Sequence, residues 1–294
     1  MTTPRVDAWR AGGALVEVGG RRLFLRTADG AGPQLLFLHG YPSSSYDWRP
    51  VLDLLPGQRS ACFDFLGFGL SDKPRDHVYS LMDQADLVEA VVARLDASEV
   101  VLIAHDMGTS VATELLARDL EGRLPFGLRS VLLLNGSMVI ERASLTLSQK
   151  VLRSRVGGVA AALTTERGFR AGFGRLFSDD HPLTPEEAAD QWALLAYGGG
   201  HRILHKLTYY LRERVTFAER WHGALRDWPG RLELAWALRD PVATEAVLDA
   251  VLELRPAAPV IRFESLGHYS QLEAPETIAP IVARAAAYGQ SSSA

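Results

Sequence analysis

The chain has 294 residues, of which 47% are hydrophobic and 22% are charged, and this balance is typical of a globular protein. Its net charge of −4 and its lack of a long basic run argue against nucleic acid as a partner. The single cysteine excludes an intrachain disulfide. The N-terminal residues lack the apolar run of a signal peptide, and no stretch is long enough to span a bilayer, so we expect a cytoplasmic protein.

Eight short apolar runs along the chain predict β-strands, and longer helical patterns separate several of them. This alternation is the signature of a mostly parallel sheet with helices on both faces, which predicts an α/β fold. The first two strands are separated by Gly19-Gly20, which is typical of a hairpin turn. The predicted strands are Leu15–Val18, Leu23–Thr27, Leu35–His39, Ser60–Phe65, Val100–His105, Ser130–Leu134, Leu232–Leu238 and Val260–Glu264.

A long stretch without a predicted strand, residues 138–225, lies between the sixth and seventh strands and contains several helical patterns. We interpret it as a helical cap inserted after strand 6, which divides an α/β core into residues 1–137 and 226–294. Such an insertion would lie over the carboxyl ends of the parallel strands, where ligands bind in open α/β sheets. The helical patterns of the predicted core are Ser80–Leu95, Met107–Arg118 and Pro275–Tyr288.

Asp106 stands at the corner where the predicted strand Val100–His105 runs into a helical pattern. Hydrolase nucleophiles occupy such a corner, and the small residues Ala104 and Gly108 fit its crowding. A carboxylate in this position attacks an sp³ carbon and forms an alkyl ester, a reaction that suits epoxides and alkyl halides. The alternative is an ordinary N-cap, because Asp often accepts hydrogen bonds from the first turn of a helix.

Two further motifs follow the last two predicted strands. Asp240 comes directly after Leu232–Leu238, where an acid can orient a histidine, and His268 follows Val260–Glu264 in the sequence Leu-Gly-His-Tyr. Each has an alternative, since Asp240 precedes a proline, as turn residues often do, and His268 could be a loop residue. The order Asp, Asp, His at successive strand ends nevertheless favours a catalytic triad of Asp106, Asp240 and His268.

This triad and its strand context resemble the α/β-hydrolase superfamily, and the Asp nucleophile resembles its epoxide hydrolase and haloalkane dehalogenase branch. The resemblance extends along nearly the whole chain. The loop Asp64–Pro74 and the segments Phe217–Leu225 and His268–Glu273 look most like the mesoderm-specific transcript-like hydrolases. The resemblance implies an α/β-hydrolase fold with an eight-stranded, mostly parallel sheet and a helical cap after strand 6. It implies no cofactor and no metal.

A predicted strand leads into the sequence His-Gly-Tyr-Pro, which begins at His39 and is similar to the His-Gly-X-Pro motif of the family. The resemblance implies that the backbone N–H groups of Tyr41 and Met107 form an oxyanion hole. They would stabilise the intermediate that forms when water attacks the ester of Asp106. His39 is a candidate substrate-binding residue, and the alternative is that its ring braces the loop.

In epoxide hydrolases, tyrosines of the cap protonate the epoxide oxygen. The segment around Tyr209 and Tyr210 resembles the cap segment that carries one of them, and Tyr210 matches best, with Tyr209 as a substrate-binding candidate. Packing in an amphipathic helix is the alternative for both. The usual partner tyrosine is missing, because no tyrosine occurs between Tyr79 and Tyr197, and His181 is a candidate substitute.

Ordinary dehalogenation is disfavoured, because haloalkane dehalogenases usually hold the halide with a tryptophan after the nucleophile and a second donor in the oxyanion loop. Met107 and Tyr41 occupy those positions, and neither offers an indole or amide N–H from its side chain. We therefore predict a cofactor-independent hydrolase that opens a small apolar epoxide to a vicinal diol, as a monomer or homodimer. The alternatives are a haloalkane dehalogenase-like hydrolase or a weakly active ligand-binding or regulatory protein.

The predicted reaction has two steps. Asp106 attacks the less hindered epoxide carbon while Tyr210 protonates the oxygen. His268, oriented by Asp240, then removes a proton from the water that hydrolyses the ester. His268 must be neutral to act as a base, so we expect activity to fall in acid.

Overall fold

One sheet organises the protein, whose computed structural model describes residues 2–287. Within these residues the strands of the sheet are β1 (Ala14–Val18), β2 (Arg21–Ala28), β3 (Ala31–Leu38), β4 (Gln58–Phe63), β5 (Glu99–His105), β6 (Gly127–Leu134), β7 (Leu232–Ala237) and β8 (Val260–Phe263). Their order across the sheet is β1-β2-β4-β3-β5-β6-β7-β8. β2 is antiparallel to β1 and β4, and the other pairs are parallel. The eight-stranded, mostly parallel sheet is therefore confirmed.

β5 shows how the sequence builds a sheet that is buried on both faces. Val101 and Ile103 belong to one buried apolar cluster, and Leu102 and Ala104 belong to another. Alternate side chains of a strand point to opposite faces, so the two clusters lie on the two sides of the sheet. An unbroken apolar run is what such a central parallel strand requires.

Helices cover both faces of the sheet, as predicted. Two predicted core helices are confirmed with small shifts at their ends, and the third begins at Pro275 as expected. The predicted last residue of the third helix, Tyr288, lies outside the described residues. The α-helices are α1 (Pro4–Ala11), α2 (Arg49–Asp53), α3 (Leu81–Arg94), α4 (Met107–Leu120), α5 (Leu147–Leu152), α6 (Gly157–Ala162), α7 (Glu166–Gly174), α8 (Pro185–Ala196), α9 (Leu204–Leu207), α10 (Tyr210–Thr216), α11 (Ala218–Asp227), α12 (Glu245–Leu254), α13 (Ser270–Glu273) and α14 (Pro275–Ala287).

The two buried clusters receive different helices. Side chains of α3, α4, α11 and α12 enter the cluster on one face, and side chains of α1, α2 and α14 enter the cluster on the other. None of the helices in the described part of the chain is both long enough and apolar enough to cross a membrane.

The segment between β6 and β7 contains α5 to α11 and, within residues 135–231, no strand. Its last helix, α11, packs against α4. The indole Nε1 of Trp221 on α11 donates to the buried carboxylate of Glu114 on α4 over 2.9 Å. This packing puts α11 in the helical layer on the sheet. We therefore propose that the cap, predicted at residues 138–225, ends before α11.

Candidate active site

Asp106 occupies a sharp turn between β5 and α4. Its φ of 45° is uncommon for a residue with a side chain and marks a strained turn. Two glycines permit the close packing around it. A Cβ on Gly40 would approach the Cβ of Asp106 to 2.6 Å, and a Cβ on Gly108 would approach the carbonyl oxygen of His39 to 2.7 Å. The turn therefore holds Asp106 at the carboxyl end of the sheet, with backbone from the loop after β3 against it.

The carboxylate of Asp106 faces the interior of the protein. The residue is 3% exposed, and its side chain makes no capping hydrogen bond to α4. The backbone N–H of Tyr41 donates to Oδ2 over 2.8 Å. Oδ1 accepts no hydrogen bond from the described residues, and it lies 3.9 Å from Nη2 of Arg214. The side chain is therefore not the helix cap that was the alternative, and Oδ1 keeps its lone pairs free.

The structure brings Asp240 and His268 together beyond the ends of β7 and β8. Oδ2 of Asp240 lies 2.6 Å from Nδ1 of His268, and both residues are buried. The other oxygen, Oδ1, accepts the N–H groups of Val242 and Ala243 over 2.7 and 3.0 Å. Burial by itself raises the pKa of Asp240, but His268 and these N–H groups lower it below its ordinary value. An ionised, fixed carboxylate thus orients the imidazole.

Asn135 belongs to this arrangement, although the sequence analysis missed it. It follows β6 with a φ of 34°, and its amide nitrogen donates to Oδ2 of Asp240 over 2.9 Å. The same amide donates to the carbonyl oxygen of Ala237 and accepts the N–H of Ala237 over 3.0 and 2.8 Å. Asn135 therefore ties the ends of β6 and β7 to the acid. Its sequence signal was a polar residue directly after an apolar strand, of a type that tolerates positive φ.

The resting charge of the His268 imidazole differs from the neutral form that was expected for a base. Burial lowers the pKa of the imidazole, but the carboxylates of Asp240 and Asp106 outweigh burial and raise it to about 9. His268 is therefore protonated near neutral pH in the resting protein. The sequence-based expectation overlooked that a second carboxylate faces the same imidazole.

This raised pKa predicts a loss of stability at alkaline pH. The imidazolium of His268 stabilises the folded protein fully below pH 6.5, its ordinary pKa, and this contribution disappears as the pH rises through about 9. The free energy of unfolding should therefore fall across this window more steeply in the wild type than in His268→Ala. Urea denaturation at several pH values measures the difference. Parallel curves for the two proteins would contradict the raised pKa.

The predicted oxyanion hole consists of two backbone N–H groups next to Asp106. That of Tyr41 already donates to Oδ2 of the carboxylate. Met107 is the first residue of α4, so its N–H has no acceptor within the helix. Both groups are therefore free of secondary-structure hydrogen bonds, and the positive end of the α4 dipole lies at the same place.

The contacts of His39 fit the alternative to substrate binding, in which its ring braces the loop. Its Nδ1 lies 2.8 Å from the carbonyl oxygen of Gly40, and its Nε2 accepts the N–H of Phe65 over 3.0 Å. Both ring nitrogens are thus occupied by backbone groups. The ring braces the loops after β3 and β4, which favours the alternative interpretation, and substrate binding by His39 stays a prediction.

Tyr210 lies close to Asp106 at the start of α10. Its ring centroid is 5.6 Å from that of Tyr41, and burial, together with the charge of Asp106, raises the pKa of its hydroxyl. Nε2 of Gln149 donates to this hydroxyl over 3.1 Å. Oε1 of Gln149 accepts the N–H of Thr146 over 2.8 Å, which fixes the orientation of the amide. Because the amide occupies a lone pair of the hydroxyl, the phenolic proton remains free for another acceptor.

Two other predicted candidates make no hydrogen bond to the triad or to Tyr210 within the described residues. Tyr209 is half-buried and lines a surface groove with Arg153 and Arg212, and none of the triad residues lines that groove. Adjacent residues of a helix do not face the same direction, so the side chains of Tyr209 and Tyr210 point to different sides of the helix. The ring of His181 is 3.4 Å from the hydroxyl of Ser178 rather than bonded to Tyr210. Substrate binding by Tyr209 stays a prediction, and its position on a separate groove does not support it.

A buried arginine, also missed by the sequence analysis, lies beside Asp106. Arg214 on α10 is 1% exposed, its Nε donates to the hydroxyl of Ser110 over 2.8 Å, and its Nη2 donates to the carbonyl oxygen of Asp106 over 3.2 Å. Its guanidinium also lies 4.6 Å from the centroid of the Tyr210 ring. Among the described residues, the only carboxylate within 4.0 Å of this cation is that of Asp106. Its sequence signal was a basic residue four positions after Tyr210.

His105 supports the loop that carries His268. Its Nε2 lies 2.8 Å from the carbonyl oxygen of His268, and the amide of Gln271 lies 3.1 Å from its Nδ1. Burial lowers the pKa of His105 to about 3, so its ring is neutral. Because the ring is neutral and both of its nitrogens make hydrogen bonds, His105 positions the loop without adding charge to the site.

Comparisons with known proteins agree with this architecture. A sequence profile for the α/β-hydrolase fold matches residues 33–275. A Mycobacterium tuberculosis protein named "Putative hydrolase LipZ" is 57% identical over 279 residues, which cover 95% of this chain and 97% of that protein. The human mesoderm-specific transcript homolog protein is 33% identical, over 93% of this chain and 85% of its own. The predicted resemblance to the α/β-hydrolase superfamily and to the mesoderm-specific transcript proteins is therefore confirmed.

A solved structure has the same fold. The crystal structure of the haloalkane dehalogenase DbeA-M1 loop variant from Bradyrhizobium elkanii matches with a TM-score of 0.77 and 24% identity. The match covers 95% of this chain and 98% of that chain.

Proposed function

The chain belongs to the α/β-hydrolase fold family, and we propose that it opens an epoxide to a vicinal diol, without a cofactor, through a covalent ester of Asp106. The observation that carries this proposal is the position of the carboxylate. It is buried at the turn after β5, with Oδ2 held by the N–H of Tyr41 and with no hydrogen bond from a described residue to Oδ1. A serine at this turn would support acyl transfer, whereas a carboxylate supports displacement at an sp³ carbon.

In the first step, Oδ1 of Asp106 attacks the less hindered carbon of the epoxide. The ring carbon–oxygen bond breaks, its electron pair passes to the epoxide oxygen, and Tyr210 donates its phenolic proton to that oxygen. Gln149 supports this role, because its amide directs a donor at the Tyr210 oxygen and leaves the proton for the substrate. The positive charge of Arg214 stabilises the phenolate that remains.

In the second step, His268 takes a proton from water, and the water oxygen attacks the carbonyl carbon of the ester. Esterification has removed the charge of Asp106, which is one cause of the raised pKa of His268, so the imidazole releases its resting proton more readily. That proton returns to Tyr210 through solvent. The N–H groups of Tyr41 and Met107 stabilise the oxyanion, and its collapse releases the diol and regenerates the carboxylate.

We also propose that helices α5 to α10 act as the cap over this site. They supply the proton donor of the proposed first step, Tyr210, the amide of Gln149 that donates to its hydroxyl, and the cation of Arg214. A cap that carries the proton donor keeps bulk water away from the epoxide and from Tyr210 during the first step.

Replacement of Tyr210 by phenylalanine is expected to lower epoxide turnover about 10²- to 10⁴-fold, because the ring remains and the proton donor is lost. Diol formation from styrene oxide measures the effect. A bromide ion leaves carbon without needing a proton, so any release of bromide from 1-bromobutane should not change. Tyr209→Phe is the matched control, since it removes the neighbouring hydroxyl outside the site.

Unchanged diol formation in Tyr210→Phe, or an equal loss in Tyr209→Phe, would contradict the assignment of the proton donor. A wild-type protein that releases bromide from 1-bromobutane but makes no diol from a panel of epoxides would instead favour haloalkane dehalogenase-like chemistry.

A further inference from the structure

Exposed apolar side chains are concentrated on two neighbouring helices between β6 and β7. Ten large apolar side chains are exposed in the described part of the chain, and five of them lie between residues 147 and 163, on and beside α5 and α6. Protein surfaces normally scatter such side chains, and a contiguous group marks an interaction site. We call these five residues the apolar face: Leu147, Val151, Val156, Val159 and Leu163.

The spacing of these residues places them on the outer sides of their helices. Leu147 and Val151 are four residues apart on α5, and Val159 and Leu163 are four residues apart at α6, so each pair shares one side of a helix. α5 packs against α6, which brings the two pairs into neighbouring positions. The inner side of α5 is buried and carries Leu152.

Basic residues accompany the apolar face. No acidic residue occurs between residues 142 and 165, so this stretch is positively charged in a chain whose net charge is −4. The four basic side chains are all exposed. They are Arg142, Lys150, Arg153 and Arg155.

We propose that the apolar face docks on a lipid bilayer whose surface carries anionic headgroups. Apolar side chains enter the boundary between headgroups and acyl chains, and basic side chains bind the headgroups of anionic lipids. Both kinds of side chain occur here in one stretch of the chain, residues 142–163, which contains α5 and α6. A second copy of the chain would bring two positive surfaces together, which would repel each other. Nucleic acid would bind the basic side chains but leave the apolar side chains in water. Neither partner therefore accounts for both the apolar and the basic side chains.

The docking surface lies on the outside of a helix that also reaches the candidate active site. Gln149 on the buried side of α5 donates to the hydroxyl of Tyr210, whereas Leu147 and Val151 of the same helix are exposed. Docking would therefore hold the site beside the acyl-chain boundary, where apolar molecules concentrate. The docking itself does not depend on the reaction proposed above.

Co-sedimentation of the full chain with large unilamellar vesicles tests this proposal. The wild type should bind vesicles of phosphatidylcholine and phosphatidylglycerol at low salt, and binding should weaken in high salt or with phosphatidylcholine alone. Lys150→Ser and Arg155→Ser should each weaken binding to the anionic vesicles about fivefold. Leu163→Asp should weaken it at least about tenfold.

Leu54→Asp is the matched control for Leu163→Asp. Leu54 and Leu163 are exposed by 48% and 72%, and each directly follows a short helix with a φ of −92°. Leu54 follows α2, which packs against α14 and contributes Val51 to one apolar cluster, whereas α5 and α6 contribute to the cluster on the other face of the sheet. We therefore expect Leu54→Asp to bind the anionic vesicles as the wild type does.

A wild-type protein that does not bind the anionic vesicles at low salt would overturn the proposal, as would an equal loss of binding in Leu54→Asp. A concentration-dependent dimer in analytical ultracentrifugation that Leu163→Asp abolishes, without vesicle binding, would also overturn it, because a second copy of the chain would then be the occupant.

Discussion

The His268→Ala variant is expected to accumulate a covalent ester on Asp106 when it is mixed with an epoxide. Alanine removes the base that activates water and leaves the nucleophile and its oxyanion donors in place, so the first step proceeds and the second stops. Hydrolysis of the ester should slow by roughly 10⁴- to 10⁶-fold, the range expected when a triad residue is removed.

Mass spectrometry of the intact protein measures the trapped ester and identifies the reaction. Styrene oxide would add its whole mass, because ring opening has no leaving group, whereas 1-bromobutane would add a butyl group and release bromide. Peptide mapping should place the added mass on Asp106. The control combines His268→Ala with Asp106→Asn, which lacks the nucleophilic carboxylate and should stay unmodified.

An unmodified His268→Ala protein across a panel of epoxides and haloalkanes would contradict the proposed nucleophile, as would a modification that persists in the double variant. A butyl adduct without any epoxide adduct would keep Asp106 as nucleophile and replace epoxide opening with halide displacement. The experiment therefore separates the identity of the nucleophile from the identity of the substrate.

The positions of Asp106, Asp240 and His268 at one edge of the sheet could be predicted because each of them follows an apolar strand, whereas their catalytic roles stay a prediction. Parallel strands end at the same edge of a sheet, so polar residues at those ends meet however far apart they lie in the sequence. The structure places Asp240 and His268 2.6 Å apart in this way. Both the strands and the polar residue after each of them are local signals, which a single sequence contains.

The residues around the triad could not be predicted in the same way, because their contacts depend on how separate elements pack. Gln149 reaches Tyr210 from another helix, and Arg214 reaches Asp106 from a helix that follows it by more than a hundred residues. The sequence could not decide whether Tyr209 or Tyr210 faces the site, because it does not determine the rotation of α10 about its axis. The packing of that helix decides which ring faces the carboxylate.

The ends of strands were also hard to predict, because they depend on pairing with a neighbouring strand. β3 begins at Ala31, whereas the apolar signal predicted a start at Leu35. Ala31 pairs with Gln58 of β4, and the register shifts between Ala31 and Leu35. Pairing across an irregularity depends on the neighbouring strand, and the apolar pattern of β3 alone does not contain it.

Replacement of Arg214 by methionine is expected to lower the free energy of unfolding by about 3 kcal/mol, as when one partner of a buried charge pair is removed. Methionine fills much of the volume but leaves the hydroxyl of Ser110 and the carbonyl of Asp106 without this donor. Urea denaturation, monitored by tryptophan fluorescence, measures the loss. Arg212→Met, an exposed position on the same helix, is the matched control and should unfold like the wild type.

A double-mutant cycle with Asp106→Asn then isolates the attraction between the two charges, which lie 3.9 Å apart at Nη2 and Oδ1. If this attraction stabilises the fold, the double variant should lose about 1–2 kcal/mol less than the sum of the single variants. In the proposed reaction, esterification of Asp106 would remove the same negative charge. The buried guanidinium would then lie beside a neutral ester and would stabilise the anion that forms on the substrate oxygen or on Tyr210. Strictly additive losses would instead show that Arg214 supports the turn through its hydrogen bonds alone.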